Sequence, residues 1–82
     1  MVTGSAVGIG RQYAEQLAEL GYNILMVDIR PEVENEARTI ADTHNVACVT
    51  KVMDLATQDA ARTLYDWTVA EGYVFDVVIN NA

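Results

Sequence analysis

Eighty-two residues with a net charge of −7 allow one small domain, whose burial is modest at that length. Hydrophobic residues make up 51% and charged residues 21%, a globular composition that argues against disorder. Five Lys and Arg against twelve Asp and Glu leave no basic footprint for nucleic acid or an anionic membrane.

Val2-Thr3 reads as the tail of a strand, followed by a glycine-rich turn, Gly4-Ser5-Ala6-Val7-Gly8-Ile9-Gly10. A helix is predicted from about Ile9 to Leu20. Ile9, Tyr13, Leu17 and Leu20 form its apolar face, Ala14 and Ala18 lie beside them, and Gly21 suits a left-handed cap. Asn23 to Val27 is an almost wholly apolar run ending at Asp28, as in a strand buried on both faces. Pro31 suits the first turn of a second helix. Glu32, Glu34 and Glu36 form its solvated start, and Val33, Ala37, Ile40 and Ala41 its inner stripe.

Val46 to Val52 is the third predicted strand. Thr57 is the expected N-cap of a third helix, with Asp59 in its first turn. Ala61, Leu64, Tyr65 and Thr68 share one face of that helix, and Gly72 stops it. Val74 to Ile79 reads as a fourth strand, and Asn80-Asn81-Ala82 ends the sequence. The order β-α-β-α-β-α-β implies an α/β fold, part of a three-layer doubly wound parallel sheet with right-handed crossovers.

The glycine-rich segment lies between a strand and a helix, the context in which such a pattern cradles phosphate. Gly4 turns the chain sharply, Gly8 leaves room for a pyrophosphate, and Gly10 permits close packing of the helix. Asp28 ends the second strand near the ~20-residue spacing at which a carboxylate accepts hydrogen bonds from an adenosine ribose. It would also repel a 2′-phosphate. Arg30 could instead pair with such a phosphate, but no basic residue precedes Gly8, where Val7 stands, so NAD is expected rather than NADP.

The spacing Thr-Gly-x-x-x-Gly-Ile-Gly, from Thr3 to Gly10, resembles the short-chain dehydrogenase/reductase family and its Rossmann fold. Asp54-Leu55 resembles the family's adenine-contacting pair, and Asn80-Asn81-Ala82 the start of its Asn-Asn-Ala-Gly motif. The resemblance covers the whole chain. It implies that Gly4, Ser5, Gly8, Ile9 and Gly10 surround the pyrophosphate, that Asp28 holds the ribose and that Ile29 flanks the adenine. It further implies that Asp54 and Leu55 contact the adenine, that Asn80 and Ala82 lie along the cofactor, and that Asn81 steadies the central strands. The activity implied is hydride transfer between an alcohol or ketone and the nicotinamide, in a full-length protein that is a homo-oligomer.

The family's chemistry rests on a Tyr-x-x-x-Lys pair with an upstream Ser. Here the residues four positions after the tyrosines are Leu17, Met26, Val69 and Val77, the only Lys is Lys51, and the only Ser is Ser5. No catalytic residue is therefore expected in this segment, which reads as the cofactor-binding half of a longer protein, cut at both ends. One alternative is a non-catalytic nucleotide-binding module. A methyltransferase-type domain is a second, disfavoured by the glycine spacing and Asn80-Asn81.

Cys48, the single cysteine, reads as a small buried thiol. His44 suits the end of the second helix, and no metal site is expected. Trp67, Tyr65 and Tyr73 read as helix packing. With no apolar run of about 18 residues and no signal peptide, a cytoplasmic protein that does not enter the membrane is expected.

Overall fold

The structure, a computed structural model, describes residues 1–79 and Asn81. Three parallel strands form the sheet: β1 (Val2–Thr3), β2 (Ile24–Asp28) and β3 (Cys48–Val52), with β2 in the middle. Three helices alternate with them: α1 (Gly8–Glu19), α2 (Val33–His44) and α3 (Ala60–Ala70). Val2 pairs with Met26, and Met26 pairs in turn with Thr50. All five residues of β2 are buried, as expected of a strand covered on both faces.

Alternation along β2 divides the core. Ile24 and Met26 pack with Val2, Ala14, Ala18 and Ile40 beneath α1 and α2. Leu25 and Val27 point the other way and meet Leu64 of α3. The layers are therefore helix, sheet, helix, the architecture expected of this part of a doubly wound fold.

The expected fourth strand is reduced to a bridge between Val2 and Ile79. Met1 N–H donates to the Val77 carbonyl at 2.8 Å, Ile79 N–H to Met1 at 2.9 Å and Thr3 N–H to Ile79 at 3.0 Å. The segment thus runs beside β1, on the side away from β2. Met1 to Thr3 offer too few backbone groups to carry a longer ladder.

The apolar stripe of α1 faces elsewhere than its spacing suggests. Gly10, Ala14 and Ala18 are buried, whereas Ile9 is 64% and Leu20 75% exposed. Small side chains let the helix sit close on the sheet, and the larger ones are turned outward, with Leu17 half-buried between. In α2 the predicted stripe holds at Val33, Ala37 and Ile40, which are buried, while Ala41 is half-buried. Pro31 lies two residues before that helix, in a turn where Val33 N–H donates to Arg30 at 3.1 Å. The third helix also begins differently. Thr57 does not cap it; its hydroxyl donates to the Asp54 carbonyl at 3.0 Å, and Asp59 takes the N-cap position with φ +62°.

Arg11 ties α1 to α2. Its Nε donates to Glu36 at 2.6 Å and its Nη1 to Glu15. The bonds to Glu36 and then Glu15 hold the guanidinium above its ordinary pKa, and Arg11 holds the Glu15 carboxyl below the usual carboxylate value. Trp67 of α3 packs against Tyr73, with ring centroids 5.7 Å apart, and under the Lys51 ammonium at 4.8 Å.

Two outcomes are expected in urea unfolding. Ala14→Leu overfills the seam between α1 and the sheet and costs about 1–3 kcal/mol, whereas Leu20→Ala changes stability by less than about 0.5 kcal/mol. Because Glu15 titrates lower when folded, its contribution is complete above the ordinary Glu pKa and fades as pH falls through the folded value. The Glu15→Gln protein should therefore show a shallower loss of urea midpoint than the parent between about pH 5 and pH 3.

Candidate functional site

The carboxyl ends of β1, β2 and β3 converge on one cleft of about 950 Å³. Gly4 borders it after β1, Asp28 at the end of β2, and Asp54 and Leu55 after β3. In open α/β sheets this crevice is the usual place for a ligand.

The turn out of β1 is shaped by its glycines. Gly4 and Gly8 both have φ +62°, a conformation that side-chain-bearing residues rarely adopt. Among the described residues a Cβ on Gly8 would meet nothing within 4 Å, so the backbone there faces open space. A Cβ on Gly10 would stand 2.0 Å from the Gly4 carbonyl oxygen and 2.7 Å from Asn81 Nδ2. Gly10 is thus required by the turn itself rather than by contact with the sheet. Helix α1 starts at Gly8 with no side-chain cap and no acidic residue in its first turn, which favours an anion at its N-terminus.

Asp28 joins this turn to the sheet. It shares the parity of Ile24 and Met26 along β2, so its side chain emerges on the face that carries α1. Its Oδ2 accepts from the Ala6 N–H at 2.9 Å and its Oδ1 from the Arg30 N–H at 3.0 Å. Asp28 is only 8% exposed, yet borders the cleft.

Other sequence-predicted residues divide. Ile29 is exposed at the rim, Leu55 half-buried, and both line the cleft. Asp54 is exposed, and its Oδ1 accepts from the Ala56 N–H at 2.9 Å, closing a tight turn after β3. Ile9 is exposed at the start of α1. Ser5 faces inward: it is fully buried, and its hydroxyl donates to the Val27 carbonyl at 3.4 Å. Asn81 donates from its backbone to Thr3 Oγ1 at 2.9 Å and from Nδ2 to the Gly4 carbonyl at 3.4 Å. Asn80 and Ala82 lie outside the described residues.

Sequence reasoning missed the opposite wall. Ala61, Tyr65 and Val69 of α3 border the cleft, and Tyr65 is 68% exposed. Their spacing of four residues is the signal that could have marked them. Cys48 lies in β3, away from this cleft; burial pushes its thiol up, which makes it a poor nucleophile.

The sequence profile of the short chain dehydrogenases matches residues 1–82. The chain belongs to that family. It is 39% identical over 87 aligned residues to an L-2,3-butanediol dehydrogenase of Corynebacterium glutamicum, covering 100% of this chain and 33% of the relative. A very-long-chain 3-oxoacyl-CoA reductase of Aspergillus clavatus is 33% identical over 82 residues, covering 99% of this chain and 24% of its own length. Among solved structures, L-sorbose reductase from Gluconobacter frateurii, complexed with NADPH and L-sorbose, superposes with a TM-score of 0.89 at 27% identity. That match covers 99% of this chain and 31% of the reductase. This chain thus spans about a quarter to a third of the length of these relatives.

Gly10→Ala should displace the turn. Its cost is about 1–3 kcal/mol in urea unfolding, as for other overpacked sites. The amide resonances of Gly4 and Asn81 should move more than those of Gly21, whose Cβ space is open.

Proposed function

We propose that this chain is the dinucleotide-binding part of an NAD-dependent oxidoreductase acting on small alcohols or ketones. The observation that carries the reading is the Asp28 carboxylate, held at 2.9 Å by the Ala6 amide beside an uncapped helix start. A dinucleotide fits this pairing. Its pyrophosphate would lie along the turn from Gly4 to Gly10, where the missing side chain of Gly8 leaves open space. Ile9 would contribute backbone contacts, whereas Ser5, fully buried with its N–H and hydroxyl both donated to the Val27 carbonyl, would shape the turn without touching the ligand. Asp28 retains lone pairs on both oxygens for ribose hydroxyls. Ile29 and Leu55 would flank the adenine, and Asp54 would accept from its amino group. Asn80 and Ala82 would follow the cofactor toward the nicotinamide.

When bound, the dinucleotide accepts or delivers the hydride. The chain's own residues bind and orient it. None of the tyrosines in this segment is followed by Lys four residues on, so we propose that the segment alone turns over no substrate and that the catalytic group comes from further chain. We read the whole protein as a cytoplasmic homo-oligomer. Among the described residues no helix is long and apolar enough to cross a membrane.

NAD is preferred over NADP because a buried carboxylate at the ribose edge repels a 2′-phosphate, although the sorbose reductase is complexed with NADPH. Equilibrium titration with NADH, NADPH and S-adenosylmethionine tests the reading. NADH should bind most tightly. Asp28→Ala removes charge-assisted bonds of about 1.5–3 kcal/mol, so NADH binding should weaken about 10- to 100-fold while the gap to NADPH narrows. Tighter NADPH binding by the parent chain would reverse the cofactor assignment, and tighter S-adenosylmethionine binding would reverse the functional class.

A further inference from the structure

Far from the cleft, the last turns of α1 and α2 bring together three groups that the sequence keeps apart. Glu15 and Glu19 lie one turn apart on α1, and His44 is the last residue of α2. One ligand atom from each lies within 4.8 Å of the others. We propose that His44, Glu15 and Glu19 form a binding site for a divalent transition metal of the zinc type, clamping α1 to α2.

The imidazole carries the argument. His44 Nε2 is buried and, among the described residues, has no hydrogen-bond partner, an arrangement that buried polar atoms seldom keep. It points at Glu15 Oε1 across 3.6 Å, long for a hydrogen bond. Two ligands bound to zinc at ~2.1 Å in a tetrahedron stand about 3.4 Å apart, close to that separation. Arg11 already holds the other oxygen of Glu15, leaving Oε1 turned toward His44. An orienting partner of this kind is characteristic of metal-binding carboxylates. Arg11 is itself balanced by Glu36, so its charge is not left facing the metal alone. Glu19 is exposed and supplies a third oxygen, with water in the fourth position. Imidazole with carboxylates suits zinc and its neighbours better than magnesium or calcium.

The site lies at the end of α1 opposite the glycine turn, so its test is independent of cofactor binding. Zinc chloride is titrated into the 82-residue chain against a chromophoric chelator, with the His44 ring nitrogens followed by NMR. The expected result is one zinc per chain, a shift of the Nε2 resonance, and a melting temperature that rises with zinc. Losing an orienting partner costs metal sites about 10–100-fold, so losing a ligand in His44→Gln or Glu19→Gln should weaken binding at least about tenfold. Glu19 is exposed, so its variant keeps the fold and remains informative if His44→Gln does not. Absence of saturable uptake overturns the proposal, as does uptake that survives Glu19→Gln undiminished or is lost in Cys48→Ser.

Discussion

The hydrogen bond from the Ala6 amide to the Asp28 carboxylate at 2.9 Å joins two parts of the chain that only the sheet brings together. On one side is a turn whose backbone conformation needs glycine at two places. On the other is the last residue of the central strand. With Asp28 only 8% exposed, its carboxylate would be costly without donors, and here two backbone amides supply them. The bond in turn restrains the turn, because Ala6 lies midway between Gly4 and Gly8. Strand parity aims the side chain, and the pairing of Val2 with Met26 and Thr3 with Val27 sets the distance. The proposed cofactor function depends on this bond more than on any other contact.

Helix α1 serves that geometry through its small residues. Gly10 lets the first turn close on Gly4, and Ala14 and Ala18 keep the axis near the sheet. A large side chain at any of these positions would lift the helix start away from Asp28. The Arg11 bond to Glu36 holds the same helix against α2, while its bond to Glu15 steadies the guanidinium along α1. Asn81 approaches from the other side and donates to the Gly4 carbonyl, so residues from three parts of the chain fix one turn.

Much of this was legible in the sequence. The alternation of apolar runs with helical stripes gave the element order, and the position of Asp28 beyond the glycines marked the one carboxylate that reaches the turn. Boundaries and faces were less legible, for definite reasons. In α1 the spacing of Ile9, Tyr13, Leu17 and Leu20 is helical, but spacing alone does not say which of two adjacent stripes packs. Close approach to the sheet selects the alanines, a tertiary effect. Thr57 has the composition of a cap, yet Asp54 engages its hydroxyl first. Ser5 has the chemistry of a ligand contact but faces the Val27 carbonyl, and no pattern in the sequence reports that rotation. The segment Val74 to Ile79 is strand-like throughout, yet pairs only as far as Met1 to Thr3 provide partners.

A crystal structure of the chain with NADH would test the central claim most directly. Asp28 should keep the Ala6 amide on one oxygen while ribose hydroxyls lie within hydrogen-bond distance of the carboxylate, with the pyrophosphate along Gly8. A structure with the dinucleotide bound elsewhere, or with the Asp28 carboxylate swung away from the glycine turn, would contradict it.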